Sequence, residues 1–456
     1  MKKYLILVLL LCSPVIQAQT IPVSFFSMNN DARSGIYPPF PIGGVRLWAP
    51  NTVGWAALQS GPSTYNFTAL NTLLAEAQTQ GYDVTWTAGC TPNFIASSPG
   101  STTSCEGNTT LSASLPSDVL TTDATWKGFI TALVNDSLAQ TKHIKYYEMN
   151  NEADLSQYCF NGAGLGNTPC NTDPSRLVIM VRDAYAIIHA LDSSALVIGP
   201  TGSSACLNNC GVHFLPQYYV AGGAPYQDIV GMHSYMYCGG VFCSVPEGIT
   251  NFIAQLRTLM AANSISGLPI FFTEGSYGGV PNQAGMTDAQ KVAYVAREYL
   301  LMRIGGVSSF YWYAYSNNLW GTLFNGSTLT PVGTAYSLVD SWLVGSTDLP
   351  GHCAQDGSQT WRCNITYQGK PAIIIWNPTN TPTVSLSAIY QTYLTLDNAT
   401  VNPVVGSSVT AGLKPIMVLA AAPIVPPAPP PLFSSIHLDC SAGCSFVGQF
   451  TVEGNN

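Results

Sequence analysis

Three successive patterns along the chain predict an α/β fold, a (β/α)8 TIM barrel followed by a small all-β sandwich. From about residue 22 to 345, short runs rich in β-formers alternate with amphipathic stretches, the arrangement that builds a parallel sheet with crossover helices. Beyond Gly345 the helical period stops, and short β-rich runs are separated by Asn, Pro, Gly and Thr, which is sandwich patterning. A proline-rich stretch from Pro423 to Pro431 then reads as an extended linker.

Eight strand candidates occupy residues 23–28, 44–48, 83–88, 144–149, 195–199, 229–235, 270–273 and 309–313. Between and after them, apolar residues recur at three and four positions in 68–80, 123–138, 174–191, 245–263, 288–303 and 331–343, as helices packed on one face require. Ser, Thr and Asp near the starts of these stretches suit N-caps. An open doubly wound sheet is the alternative, but the glycine-rich phosphate loop expected after its first strand is missing. Residues 20–345 are therefore assigned to the barrel, 346–422 to the sandwich and 423–456 to the linker and a short tail. The sandwich strands are expected at 359–367, 372–376, 383–387 and 392–396, with Trp361, Tyr367 and Trp376 as candidates for its core.

The 456 residues are 46% hydrophobic and only 9% charged, so the chain has ample material for a large core. A net charge of −8 argues against nucleic acid as a partner, because phosphate binding needs Lys and Arg to displace counterions. Lys2 and Lys3, the apolar run from Tyr4 to Leu11 and the polar exit at Gln17-Ala18-Gln19 have the layout of a secretory signal, assigned to residues 1–19. Cys12 suggests a lipoprotein site, but Leu11 stands where a small residue belongs. No later apolar run is long enough to span a bilayer, so the expected product is exported, extracellular or periplasmic, with no membrane contact after signal cleavage.

Twelve cysteines follow Cys12, in close sequential couples: Cys90/Cys105, Cys159/Cys170, Cys206/Cys210, Cys238/Cys243, Cys353/Cys363 and Cys440/Cys444. An even count in an exported chain implies disulfides, and pairing within each couple is expected. Zinc is the rival reading, but histidines at ligand spacing are missing. The tethered loops after Cys90, Cys159 and Cys238 are expected to shape a cleft.

Glutamate is scarce, with eight in the chain. Two of them, Glu152 in Asn150-Asn151-Glu152-Ala153 and Glu274 in Phe272-Thr273-Glu274-Gly275, close short apolar or aromatic runs at the ends of predicted strands four and seven. In a barrel those carboxyl ends form the active-site face. Two carboxyl groups there suit glycosidic bond cleavage, one protonating the leaving oxygen and the other attacking the anomeric carbon or activating water. The blander reading of such a glutamate is a salt bridge that holds the barrel together, and Glu148 fits it. Motifs for serine hydrolase, zinc protease, nucleotide and dinucleotide chemistry are missing, and no cofactor or metal is implied.

These segments resemble clan A of the glycoside hydrolases. Glu152 is similar to the acid/base of their Asn-Glu-Pro motif after strand four, and Glu274 to their strand-seven nucleophile. Val45-Arg46-Leu47-Trp48 places an arginine on strand two, as the clan does beside the nucleophile. In His233-Ser234-Tyr235, the tyrosine resembles the donor to the nucleophile and the histidine a subsite residue. Phe310-Tyr311-Trp312 is similar to the aromatic platform on strand eight, with Trp312 beneath the sugar. Asn151 is placed to hydrogen-bond the sugar 2-hydroxyl. With Thr91-Pro92 and the trailing sandwich, the resemblance is greatest to family 39, the xylosidase and iduronidase group. It implies a secreted retaining enzyme acting on β-linked poly- or oligosaccharides. A catalytically silent carbohydrate-binding barrel is the alternative. The usual Trp-Asn-Glu-Pro appears here as Asn150-Asn151-Glu152-Ala153, which predicts a different loop path. Arg46 and Tyr235 are expected to keep Glu274 charged, and that charge to raise the pKa of Glu152.

Overall fold

The computed structural model describes residues 20–29, 34–155, 174–203, 214–235, 237–238, 241–242, 245–278, 286–317, 319–397 and 400–421. The signal segment, the proline-rich linker and tail, and the couples Cys159/Cys170, Cys206/Cys210 and Cys440/Cys444 lie outside these residues, as do the side chains of Cys238 and Cys243.

Eight parallel strands, β1 (Phe26–Asn29), β2 (Gly44–Leu47), β3 (Asp83–Thr87), β4 (Tyr146–Glu148), β5 (Leu196–Ile198), β6 (Val230–Ser234), β7 (Ile270–Gly275) and β8 (Ser309–Trp312), form one sheet. Their spatial order is β5-β4-β3-β2-β1-β8-β7-β6. Parallel bridges from Ile198 to Ile229 and from Gly202 to Met232 join the two ends and complete the circle. Both strand faces are buried because side chains alternate between the barrel interior and the surrounding helices. Inside, Tyr146, Ile198, Phe271 and Tyr311 pack as one cluster, and Tyr311 Oη lies 2.8 Å from Thr85 Oγ1.

The helices are α1 (Thr68–Gln80), α2 (Ala124–Leu138), α3 (Ser175–Leu191), α4 (Phe214–Val220), α5 (Ile249–Ala262), α6 (Asp288–Ile304) and α7 (Pro331–Leu343). Six follow the predicted stretches closely. The seven residues of α4 are too few to show a helical period, and the sequence reading missed them. A capping box starts α6: the Gln290 N–H donates to Thr287 Oγ1 at 3.2 Å, and the Thr287 N–H to Gln290 Oε1 at 2.8 Å. This helix is buried continuously from Val292 to Met302, and Arg297 within it donates from Nε to Glu247 Oε1 at 2.8 Å. Trp376, from the all-β region, donates to the same carboxylate oxygen at 3.2 Å. The helix is thus covered on its outer side as well, which buries its ionisable residues Arg297 and Glu298 along with the apolar ones.

The all-β region contains β9 (Thr347–Gln355), β10 (Trp361–Tyr367), β11 (Lys370–Trp376), β12 (Thr383–Ser385), β13 (Tyr390–Leu394), β14 (Val401–Pro403), β15 (Ser408–Thr410) and β16 (Ile416–Ala420). Six form an antiparallel sheet ordered β9-β10-β11-β16-β13-β14, while β12 pairs with β15. Trp376 is fully buried and stacks on Trp361 with ring centroids 5.3 Å apart. The disulfides Cys90–Cys105 and Cys353–Cys363 are both formed as expected. Among the described residues, no helix is long and apolar enough to cross a membrane.

Candidate active site

Strand β7 carries one residue more than its neighbours. Met232 and His233 of β6 pair with Phe272 and Glu274, and Phe310 and Trp312 of β8 with Phe272 and Gly275. This bulge has a direct consequence, because strict alternation would send Thr273 inward and Glu274 outward. Instead both reach the interior. The Thr273 hydroxyl donates to Glu148 Oε1 at 2.6 Å, and Glu274 receives the Tyr235 hydroxyl on Oε1 at 2.7 Å.

Arg46, wholly buried on β2, holds three close acceptors from two other strand ends, with Asn29 Oδ1 of β1 a longer fourth at 3.4 Å. Its Nε donates to Glu148 Oε2 at 2.6 Å, Nη1 to Glu274 Oε2 at 2.8 Å and Nη2 to Asn151 Oδ1 at 2.7 Å. The planar fork of the guanidinium suits this division among acceptors in a way a lysine would not. Glu148 also accepts the Thr87 hydroxyl at 2.5 Å, and is thus the salt-bridged glutamate of the blander reading, with Arg46 as its partner. Burial alone would raise its pKa, but the Arg46 charge, with His233, outweighs burial and brings it down to about 2. Burial likewise disfavours charge on Arg46, yet Glu148 and Glu274 hold it firmly protonated.

Glu152 sits in the turn after β4 with φ of 41°, in the left-handed region. The turn is tied to the end of β5. The Glu152 N–H donates to Thr201 Oγ1 at 3.3 Å, the Thr201 hydroxyl to the Asn150 carbonyl at 2.9 Å, and the Ala153 N–H to the Thr201 carbonyl at 3.0 Å. The last bond needs an N–H that proline lacks. The departure from Asn-Glu-Pro thus has a structural counterpart, a loop pinned to its neighbour by the backbone of residue 153.

His233 stands between the carboxylates. Its Nδ1 is 3.1 Å from Glu152 Oε1 and 3.8 Å from Glu274 Oε2, while Nε2 is 3.9 Å from Glu148 Oε1. Burial would lower its pKa, but the Glu274 charge, the nearby Glu148 carboxylate and the hydrogen bond to Glu152 raise it to about 9. For Glu274 the balance differs from expectation. Burial raises its pKa and the Glu152 charge adds to the rise, against the lowering by His233 and Arg46, so the net direction is upward. Burial, with the Glu274 charge, also raises the Tyr235 pKa and keeps that hydroxyl a donor.

The structure therefore brings Glu152, Glu274, Arg46, Asn151, His233 and Tyr235 into one buried cluster. One donor atom each from Glu152, His233 and Glu274 lie within 4.8 Å of one another. A cation could in principle use such donors, but the fixed positive charge of Arg46 already occupies Glu274 Oε2. Trp312 does not join them. It is fully buried on the helix-facing side of β8, its Nε1 donates to the Gly321 carbonyl at 2.6 Å, and its ring packs 5.7 Å from that of Tyr277. The aromatic group at the barrel mouth is one residue on. Tyr313 is half-buried with its ring 6.2 Å from Trp320, and Trp320 meets the Tyr235 ring edge-on at 5.1 Å. Strand alternation separates these two aromatics, and the short run Phe310–Tyr313 contains no signal for which phase applies.

No protein-family model matches the chain, and no curated protein matches it. Solved structures do share its fold. A monomeric β-xylosidase from Caulobacter crescentus CB15 is 16% identical with a TM-score of 0.62, over 88% of this chain and 97% of that one. A family 39 β-xylosidase from Caulobacter crescentus is 14% identical with a TM-score of 0.59, over 90% and 98%. A glucosidase from Croceicoccus marinus is 13% identical with a TM-score of 0.57, over 89% and 97%. Over about nine-tenths of its length the chain shares the fold of these glycoside hydrolases, and the family 39 likeness expected from its motifs is met at the level of fold.

Proposed function

We propose that this protein is a retaining β-glycoside hydrolase, with Glu274 as nucleophile and Glu152 as general acid/base. The observation that carries the reading is the carboxylate separation. One oxygen of Glu152 and one of Glu274 lie within 4.8 Å, so the two carboxyl groups face each other across a single gap, in keeping with the close pairing of roughly 5–5.5 Å in retaining sites. The donors distinguish the two roles. Glu274 has Arg46 on one oxygen and Tyr235 on the other, the surroundings of a group that must attack as a carboxylate, whereas the Glu152 carboxylate has, among the described residues, the His233 Nδ1 at 3.1 Å.

In the first displacement, Glu274 attacks the anomeric carbon while Glu152 gives its proton to the glycosidic oxygen. The aglycone leaves as an alcohol and a glycosyl ester remains on Glu274. The Glu152 carboxylate then takes a proton from water, the resulting hydroxide oxygen attacks the anomeric carbon, and Glu274 departs as a carboxylate. Two inversions restore the original configuration. Because Asn151 Oδ1 is engaged by Arg46, its amide nitrogen is the group directed to the sugar 2-hydroxyl.

The neighbours in fold, xylosidases and a glucosidase by name, support a poly- or oligosaccharide with β-linked xylose or glucose as the substrate class. Export is part of the proposal, resting on the N-terminal signal pattern and the two disulfides. The test is sugar release from β-linked polysaccharides and aryl β-glycosides by wild type, Glu152→Gln and Glu274→Gln. Each variant is expected to lose a factor of about 10² or more. Full activity in either variant overturns the assignment, and saccharide binding without release by wild type favours the silent binder.

A further inference from the structure

Strand β6 delivers two of the groups that hold the carboxylate pair, and it does so by alternation. His233 and Tyr235 point into the barrel, where they meet Glu152 and Glu274, so Ser234 between them points outward to the helices. There its hydroxyl donates to Glu298 Oε1 on α6 at 3.1 Å. Both residues are wholly buried.

A glutamate here is costly. It lies within the continuously buried stretch of α6 from Val292 to Met302, where an apolar side chain would pack without the penalty of taking a carboxyl group out of water. Arg297, beside it in the chain, is directed to Glu247 instead, and Glu298 Oε2 has no hydrogen-bond partner among the described residues. Burial raises the pKa of Glu298 well above the usual carboxylate range, against a smaller lowering by the Ser234 hydroxyl. The group is therefore a neutral acid, and its Oε1, as the carbonyl oxygen, receives that hydroxyl.

The surroundings leave Ser234 little freedom. Gly275 pairs with it across β6 and β7, just past the bulge, and a Cβ on Gly275 would overlap Ser234 Oγ and sit 2.9 Å from the Phe310 ring. The glycine after Glu274 is what lets the hydroxyl lie between the two strands. One hydrogen bond to α6 thus bears on both catalytic strands, on β6 between His233 and Tyr235 and on β7 at the residue after Glu274.

We infer that Glu298 is a positioning residue for catalysis, fixing Ser234 on the outer side of β6 so that His233 and Tyr235 meet Glu152 and Glu274 at hydrogen-bonding distance. The inference rests on the proposed roles of those two glutamates. Glu298 lies outside the barrel and acts only through the strand. Misplacing a catalytic group by about 1 Å can cost on the order of 10²-fold in rate, so a contact behind the strand has leverage on the chemistry in front of it.

The experiment compares wild type with Glu298→Gln, Glu298→Leu, Ser234→Ala and the double variant Ser234→Ala/Glu298→Leu. It reads kcat and KM on an aryl β-glycoside, the denaturant midpoint and the imidazole nitrogen resonances of His233. Glutamine keeps the oxygen that receives the hydroxyl, and Glu298→Gln is expected to keep most of the rate. Glu298→Leu and Ser234→Ala are each expected to lower kcat roughly tenfold with a smaller change in KM, and to shift the His233 resonances. The double variant removes both polar partners, so its midpoint is expected to recover toward wild type. Its kcat is expected to stay about tenfold down, no lower than in either single variant, because the two residues act as one. Recovery of kcat along with stability would reduce the pair to packing and overturn the inference, as would equal damage from Glu298→Gln and Glu298→Leu or losses that multiply in the double variant. If wild type hydrolyses aryl β-glycosides while kcat and the His233 resonances ignore the Glu298 variants, the function stands and the positioning falls. If wild type hydrolyses nothing yet the resonances follow Glu298→Leu, the catalytic roles fall and the hold of Glu298 on His233 stands.

Discussion

Thr201 holds the turn of Glu152 from two directions, its hydroxyl accepting the Glu152 N–H at 3.3 Å and donating to the Asn150 carbonyl at 2.9 Å. The residue touches neither carboxylate oxygen, so its part is positioning. Replacing the hydroxyl by a methyl group in Thr201→Val leaves the buried Glu152 N–H without this partner, while the Asn150 carbonyl keeps the Thr201 N–H at 3.1 Å, so the expected loss is about 1–3 kcal/mol for the one buried group left unsatisfied. The expected result is a kcat roughly tenfold lower with a smaller change in KM. Thr201→Ser, which keeps the hydroxyl, is expected to restore most of the rate; equal damage from both variants would show that packing rather than the hydrogen bonds matters.

Ala153 tests the loop path. Ala153→Pro restores the familiar Asn-Glu-Pro string but removes the N–H that donates to the Thr201 carbonyl at 3.0 Å, and a proline favours extended backbone at the residue before it, where Glu152 has φ of 41°. Denaturant unfolding is expected to show a loss of about 1–3 kcal/mol, with lowered kcat. A more stable and more active variant would show that the loop accommodates the proline path.

Arg46→Lys keeps the charge and loses the fork. One ammonium cannot serve Glu148, Glu274 and Asn151 at the distances that the guanidinium spans, so buried carboxylate charge is left partly unpaired. Breaking such a pair costs about 3–5 kcal/mol in comparable cases, and a shift of the unfolding midpoint of that order is expected alongside loss of turnover. Unchanged stability would mean that the buried acids are neutralised by protonation instead.

Stability should also depend on pH in a defined way. His233 has a pKa raised to about 9, so its contribution is full below the unfolded value of about 6.5 and disappears as pH rises through 9. Glu148 is lowered to about 2, so its contribution is full above its unfolded value of about 4.3 and disappears as pH falls through 2. From these two groups, stability measured by denaturant titration is expected to be greatest between about pH 4.5 and 6.5, with the acids whose pKa burial raises, Asp123, Asp340 and Glu298, eroding it toward the upper end of that window. His233→Asn is expected to flatten the alkaline decline while leaving the acid side in place.

The sequence made the barrel legible because strands and helices are local patterns: the periods of 68–80 and 331–343 match α1 and α7. The all-β region was read less completely. β9, β14, β15 and β16 fell outside the predicted runs, and of these the three-residue β14 and β15 have too few side chains to display a period of two. In the site, Glu152 and Glu274 were recognisable from residue type and position at strand ends, and Arg46 from the resemblance to clan A. Thr201 carried no signal, because its role exists only through hydrogen bonds to a turn some fifty residues earlier in the chain.

By itself, the sequence determined which residues end the strands, and hence that two glutamates, an arginine, a histidine and a tyrosine would gather at one mouth of a barrel. The tertiary structure decided which way they point. The extra residue in β7 turns Glu274 inward beside Thr273, whereas uninterrupted alternation on β8 turns Trp312 away and leaves Tyr313 at the mouth. Bulges and side-chain phase arise from pairing with neighbouring strands, and the partners of β7 lie dozens of residues distant in the chain.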